Sequence, residues 1–161
     1  MARKPKLIVP IGPAGCGKTV YGERYRKYDM HYVSADSFRH LLYDYDNMFD
    51  PERENEVWKM VWAEFMIMVK TNLNIYLDNT NLTRMIRMPF IHVARSFGYR
   101  IEMIYFNTPI GKILKQNQSR KRKVPESVVC RQFMEMQYPD KIECDSLEVV
   151  NGEIYVKWSE S

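Results

Sequence analysis

The residues Gly12-Pro13-Ala14-Gly15-Cys16-Gly17-Lys18-Thr19 constrain this chain more than any other segment of it. They fit the pattern G-x-x-x-x-G-K-[ST] and stand between Lys6 to Gly12, which reads as a buried strand, and Thr19 to Tyr28, which reads as a helix. Glycines at these spacings let successive backbone N–H groups turn inward around a phosphate, and the helix N-terminus adds the positive end of its dipole. From average residue usage the pattern arises by chance in roughly 3 of 100,000 windows, or about half a percent over 161 residues, so a plain Gly-rich turn is a poor alternative. In such a loop Lys18 bridges the β- and γ-phosphates of ATP or another nucleoside triphosphate, and Thr19 holds Mg²⁺. Gly12, Gly15, Cys16, Gly17, Lys18 and Thr19 form the expected nucleotide-binding set, with Cys16 included for its place in the loop alone.

Beyond the loop, strands and helices alternate. Met30 to Ala35 reads as a second strand and Ser37 to Tyr43 as a helix. Asp50-Pro51-Glu52 supplies an N-cap, a proline at the first helical position and an acid in the first turn, so a long helix should run from there to about Asn72. Its Val57, Met60, Val61, Phe65, Met68 and Val69 make one 3.6-period face. Trp58, Trp62 and Met66 lie partly off that face, which fits either burial on two sides within one domain or a homo-oligomer interface. Asn74 to Asp78 reads as a third strand, Asn81 to Phe97 as a helix closed by Gly98, and Arg100 to Asn107 as a fourth strand. Thr108-Pro109 should cap the next helix, and Pro125-Glu126 should open another that runs to about Gln137. Leu147 to Val150 and Glu153 to Trp158 flank Asn151-Gly152, a hairpin turn that would set Val149 against Ile154 and Leu147 against Val156. The order implies an α/β three-layer sandwich of the P-loop NTPase kind, with a mostly parallel sheet, helices on both faces and a C-terminal β-hairpin. Ligands then sit at the carboxyl ends of the strands, near Gly12, Asp36 and Asp78. No repeat or Pro/Gly/Ser-rich linker interrupts the chain, so residues 1–161 are expected to form a single domain.

Composition narrows the setting. At 45% hydrophobic and 27% charged residues, disorder and collagen are excluded. Val57 to Val69, the most apolar stretch, contains Lys59 and Glu64 and falls short of the roughly 20 clean residues of a membrane span. The short apolar run after Lys6 is no signal peptide. Three cysteines without CxxC spacing indicate neither a disulfide framework nor a zinc site, which points to the reducing cytoplasm. The net charge of +4 equals that of the run Arg120-Lys121-Arg122-Lys123, so one short segment holds the imbalance.

Several residues outside the loop carry candidate chemistry. Asp36 follows the second strand with Arg39 one helical turn on; the two are either a local ion pair or an acceptor site. In the second case Asp36 takes the proton of an acceptor hydroxyl while Arg39 grips an anionic group by a bidentate contact. Asp78 ends the apolar strand Ile75-Tyr76-Leu77, where an acid holds Mg²⁺ through water. Thr80 or Asn81 is as readily a plain cap for the next helix as a functional residue, and Arg87 is as readily a solvated helix residue. The basic run stands between two helices and is read as a lid over about 117–125, able to bring an arginine onto the transferring phosphoryl group. Asp44-Tyr45-Asp46-Asn47-Met48 resembles a D-x-D-x-T phosphatase signature but lacks the threonine and a preceding apolar strand, so it is read as a polar loop.

Together these motifs resemble the kinase domain of phage-type polynucleotide 5′-hydroxyl kinases, within the P-loop kinase group that includes zeta-toxin-like kinases. The resemblance runs from Leu7 to Tyr138 and rests on Gly12 to Thr19, Ser34-Ala35-Asp36-Ser37-Phe38-Arg39, Leu77-Asp78-Asn79-Thr80-Asn81-Leu82 and Asn117 to Pro125. It implies transfer of the γ-phosphate of ATP to the 5′-hydroxyl of RNA or DNA in nucleic-acid end repair. Lys18, Asp36 and Arg120 would be catalytic, Arg39, Thr80 and Arg87 would meet the acceptor, and Thr19 and Asp78 would serve the metal. The lid arginine is Arg120 or a neighbour one or two positions on, and Arg120 then also touches the nucleotide. The best-known phage enzyme adds a phosphatase domain where this chain has a hairpin, so end repair would call for a separate 3′-phosphatase and a ligase. The residues after Leu82 also depart from the group's Pro/Glu/Arg pattern. A P-loop phosphotransferase acting on a nucleoside, sugar or antibiotic is the alternative enzyme, and a nucleotide-binding switch is the alternative from another class.

Overall fold

The computed structural model describes residues 4–43, 51–151 and 154–159. Six strands form one sheet: β1 (Lys6–Ile11), β2 (Met30–Val33), β3 (Asn74–Leu77), β4 (Arg100–Phe106), β5 (Ser146–Asn151) and β6 (Ile154–Ser159), in the order β2-β3-β1-β4-β5-β6. The first five are parallel and β6 runs antiparallel to β5, which is the expected α/β sandwich with its closing hairpin. Side chains alternate across a strand, so β1 feeds two cores. Leu7, Val9 and Ile11 meet Val57, Val61, Phe65 and Val69 of α3 (Pro51–Lys70) and Phe90, Ile91 and Ala94 of α4 (Arg84–Ser96). Ile8 faces the other way, toward Tyr21 of α1 (Lys18–Gly22), Ile113 of α5 (Ile110–Ser119) and Val129 of α6 (Glu126–Glu135).

Each fully buried Ile, Leu or Phe in these cores contributes roughly 1.5–3 kcal/mol of burial free energy. Trp58, Trp62 and Met66 pack against the first core, and the Trp62 ring stacks on Phe90 at 4.1 Å and 5°. Phe65 meets both rings edge-on. The off-face residues of α3 are therefore partly covered from within the chain and stay half-buried.

Several boundaries differ from the sequence reading. The segment after the phosphate loop is α-helical only to Gly22 and continues as a 3₁₀ helix over Glu23–Tyr28. A Cβ at Gly22 would lie 3.0 Å from the Tyr76 ring, so the helix turns tighter where glycine presses against an aromatic wall. β2 stops at Val33, and α2 (Ala35–Leu42) begins early enough to hold Asp36 in its first turn, where an acid suits the dipole. α4 starts at Arg84 with Thr83 as N-cap, its Oγ1 accepting from the Ile86 N–H; Thr80 and Asn81 do not cap it. Asn81 has a positive φ of 49°, and its Nδ2 donates to the carbonyls of Pro10, Leu77 and Asn79, tying the post-β3 loop across the sheet. Pro109, not Thr108, holds the N-cap position of α5.

The hairpin register is a further correction. Val149 pairs with Val156 and Leu147 with Trp158, and Asn151 is itself the last paired residue of β5, opposite Ile154. A slip of two residues leaves every side chain on its own face, so alternation does not distinguish the two registers. Asp50, expected as the N-cap of α3, and the loop Asp44 to Met48 lie outside the described residues. Among the described residues no helix is long and apolar enough to cross a membrane.

Candidate active site

The loop from Gly12 to Thr19 leaves β1 and enters α1 at the carboxyl edge of the sheet. A Cβ at Gly12 would stand 2.4 Å from the Cys16 sulfur and 3.1 Å from Phe106 Cβ, so the tight turn needs glycine there. Gly15 and Gly17 take positive φ values of 85° and 101°, the left-handed region that side chains disfavour. The loop rests on α5, where a Cβ at Gly15 would come within 3.3 Å of the Ile113 carbonyl oxygen. From α6, Gln132 Oε1 accepts the Ala14 N–H at 2.9 Å.

Lys18 is buried, and its Nζ donates to the carbonyls of Gly12 and Pro13, both at 2.8 Å. No carboxylate forms a salt bridge with it among the described residues. A buried cation held mainly by carbonyl dipoles, with no carboxylate in direct contact, is costly, and an entering phosphate would relieve that cost. Beside it, burial pushes the Cys16 thiol up, an effect Lys18 only partly offsets, so the sulfur is held protonated at neutral pH.

Thr19 Oγ1 donates to Asp78 Oδ2 at 3.0 Å, joining the loop to the end of β3. Burial raises the Asp78 carboxyl above its ordinary value against the pull of Lys18 and Thr19, and the Asp36 charge adds to the rise. A hydroxyl beside a half-buried carboxylate is the hard-oxygen donor set that Mg²⁺ takes, and a divalent cation would offset that unfavourable charge. Thr19 and Asp78 thus fit the metal, and the loop fits the phosphates.

Asp36 lies at the adjoining strand end, because the Ala35 N–H is capped by Asn79 Oδ1 at 2.9 Å, one residue beyond Asp78. Its side chain is 51% exposed. Burial alone would raise its carboxyl, but the Arg39 hydrogen bond and the charges of Arg122, Arg39 and Arg120 outweigh it, and the group is held below the ordinary carboxylate value. Arg39 Nη1 donates to Asp36 Oδ1 at 2.7 Å, so the local ion pair exists; at the same time Nε and Nη2 hold Glu54 at 2.7 and 3.0 Å.

The basic run reaches this carboxylate through Arg122, whose Nη1 lies 3.4 Å from Asp36 Oδ1 and whose buried Nε has no hydrogen-bond partner among the described residues. Arg120 is exposed and acts on Asp36 and Asp78 through charge alone. Asn117 closes the segment: its Nδ2 donates to the Val124 carbonyl at 2.6 Å, and its Oδ1 accepts the Val124 N–H at 3.0 Å.

Arg87 requires correction. It is fully buried: Nε and Nη2 hold Glu143 at 2.7 and 3.0 Å, and Nη1 donates to the carbonyls of Asn81, Leu82 and Gln137. It is not a solvated helix residue: its side chain is fully buried and each nitrogen has a partner inside the protein. Thr80 is half-buried beside the loop, its carbonyl accepting the Gly12 N–H at 3.1 Å. Sequence reasoning missed Glu54, Asn79, Gln132 and the reach of Arg122. Glu54 and Gln132 carried no local signal, since their partners lie 15 and 118 residues away.

Comparison with solved structures returns chains of the same fold, several of them described as kinases. A chain of the Pnkp1/Rnl/Hen1 RNA repair complex superposes with a TM-score of 0.74 at 22% identity, over 86% of this chain and 46% of that one. A sugar kinase from Janibacter sp. HTCC2649 gives 0.65 at 18%, over 91% and 85%, and Kti12 of Chaetomium thermophilum, solved with ADP-AlF3, gives 0.60 at 15%, over 91% and 89%. This chain therefore spans less than half the length of the repair-complex chain it matches. At these identities the likeness shows a shared fold. No curated protein matches the sequence. Residues 7–139 match the family profile AAA_33, described as an AAA domain, and with the phosphate loop, the Thr19–Asp78 pair and the parallel sheet already in place, the chain belongs to that family.

Proposed function

We propose that this protein is an ATP- and Mg²⁺-dependent kinase that transfers the γ-phosphoryl group to 5′-hydroxyl ends of RNA or DNA, acting in nucleic-acid end repair in the cytoplasm. The observation that carries this reading is Asp36, a half-exposed carboxylate kept ionised by arginines at the strand end beside Asp78. A switch that only binds nucleotide has no use for such a base. The likeness to a chain of an RNA repair complex supports the acceptor class, with a 3′-phosphatase and a ligase as the partners that end repair requires.

When bound, the magnesium nucleotide supplies the phosphoryl group and a cation that offsets its charge. Lys18 Nζ would exchange its two carbonyls for phosphate oxygens. Thr19 and Asp78, joined at 3.0 Å, are the residues that would hold the cation. Asp36 accepts the proton of the attacking hydroxyl as its oxygen bonds to the γ-phosphorus and the bond to the β-phosphate oxygen breaks. The lid over 117–125 brings Arg122 and Arg120 toward the reacting oxygens, while Arg39 and Thr80 meet the phosphate on the 3′ side of the acceptor nucleotide.

The test is transfer of labelled γ-phosphate to 5′-hydroxyl oligonucleotides, 3′-phosphorylated nucleosides, free nucleosides and sugars. Oligonucleotides and 3′-phosphorylated nucleosides should be much the better acceptors, because a charge-assisted contact to Arg39 is lost without the 3′-phosphate. Equal use of a nucleoside and its 3′-phosphate would reject a polynucleotide acceptor in favour of a small-molecule one.

A further inference from the structure

We infer that Glu54 is a positioning residue for the acceptor base: it fixes the Arg39 plane so that one guanidinium edge orients Asp36 while two donors stay free for the acceptor. The inference rests on the kinase reading above. Glu54 belongs to α3, 15 residues beyond Arg39, and its side chain is 15% exposed. Its two oxygens take Nε and Nη2 at 2.7 and 3.0 Å, a fork-on-fork contact that leaves a planar guanidinium no rotation about its axis. With the plane set, Nη1 reaches Asp36 Oδ1 at 2.7 Å.

Counting donors shows what this arrangement leaves. Of the five N–H bonds of an arginine, two go to Glu54 and one to Asp36. One on Nη1 and one on Nη2 remain, enough for two oxygens of a single phosphate. Charge completes the argument. Arg39, Glu54, Asp36 and Arg122 are joined by contacts of 2.7 to 3.4 Å and sum to zero, so an acceptor anion meets a cluster with no net charge of its own, whose geometry is prepared, while Arg120 adds its field from outside.

Glu54→Gln separates orientation from charge. The substitution leaves the four groups at +1, so acceptor affinity should not fall, while Arg39 is free to turn and fold wholly onto Asp36. The expected result is a kcat lower by about tenfold or more, the scale of losing a near-attack geometry, with the KM for acceptor unchanged or reduced and the KM for ATP unchanged. Glu54→Asp keeps the charge but shortens the reach, and should give an intermediate kcat. In an Arg39→Ala background, the same Glu54 substitutions should add less than about twofold, because the residue they act through is gone. A wild-type kcat in folded Glu54→Gln, a raised acceptor KM at constant kcat, or full additivity with Arg39→Ala would overturn the proposal. If Glu54→Gln fails to fold, Glu54→Asp with and without Arg39→Ala reads the same cycle. The acceptor used is whichever the wild type phosphorylates best, so a preference for sugars would refute the polynucleotide reading and leave the Glu54 measurement intact.

Discussion

Replacing Arg87 tests whether a residue in a substrate-binding position of the sequence pattern serves the fold instead. Its guanidinium and the Glu143 carboxylate are 0% and 1% exposed and paired through both oxygens. Arg87→Met keeps most of the side-chain volume but strands a buried carboxylate and takes one donor from each of the carbonyls of Asn81, Leu82 and Gln137. Removing one partner of a buried pair costs about 3–5 kcal/mol, a large share of the roughly 5–15 kcal/mol that holds a domain together. For a chain of this size that loss lowers Tm by about 10 °C. The double variant Arg87→Met/Glu143→Met removes both charges and should recover most of the loss. Thermal and urea unfolding measure all three, with acceptor KM determined below the transition. An Arg87→Met protein with wild-type Tm and a much raised acceptor KM would refute this reasoning and return Arg87 to the substrate.

Two further outcomes follow from the site. Lys18→Ala should abolish transfer to every acceptor, because it removes several kcal/mol of charge stabilisation on the donor; wild-type turnover in that variant would sink the phosphate-loop assignment. Asp36→Asn should keep nucleotide binding, followed by calorimetry, and lose about 100-fold or more in kcat; parallel loss of nucleotide affinity would mark Asp36 as structural. The sign of its pH dependence is set by the arginines. A folded value below the unfolded one contributes stability that is complete above the ordinary carboxylate range and disappears as pH falls through the lowered value. Arg39→Ala should therefore move the acid limb of kcat/KM upward, toward an ordinary carboxylate; an unmoved limb would show that Arg39 does not govern Asp36.

Local chemistry determined a large part of this protein. Gly12 to Thr19 is a covalent unit whose spacing alone dictates a phosphate loop, and apolar runs such as Ile75-Tyr76-Leu77 announce buried strands that must end in polar residues at one edge. Asp36 and Asp78 were legible for that reason: each is the first acid after a strand, and a parallel sheet brings strand ends together. What lay beyond reach was every feature made by partners distant in the chain. Arg87 is indistinguishable in sequence from an exposed helical arginine, and only the approach of Glu143, 56 residues on, turns it into a buried clamp. Glu54 was silent because its partner Arg39 sits on another helix. Arg122, two positions beyond Arg120, is the residue that meets Asp36, in a segment that Asn117 ties to Val124, and the run of four basic residues does not distinguish them locally. The hairpin register escaped as well, since alternation with a period of two is unchanged by a slip of two. Sequence specifies which groups exist and in what local order; long-range packing decides which of them lose water and meet, and charge pairing follows from that.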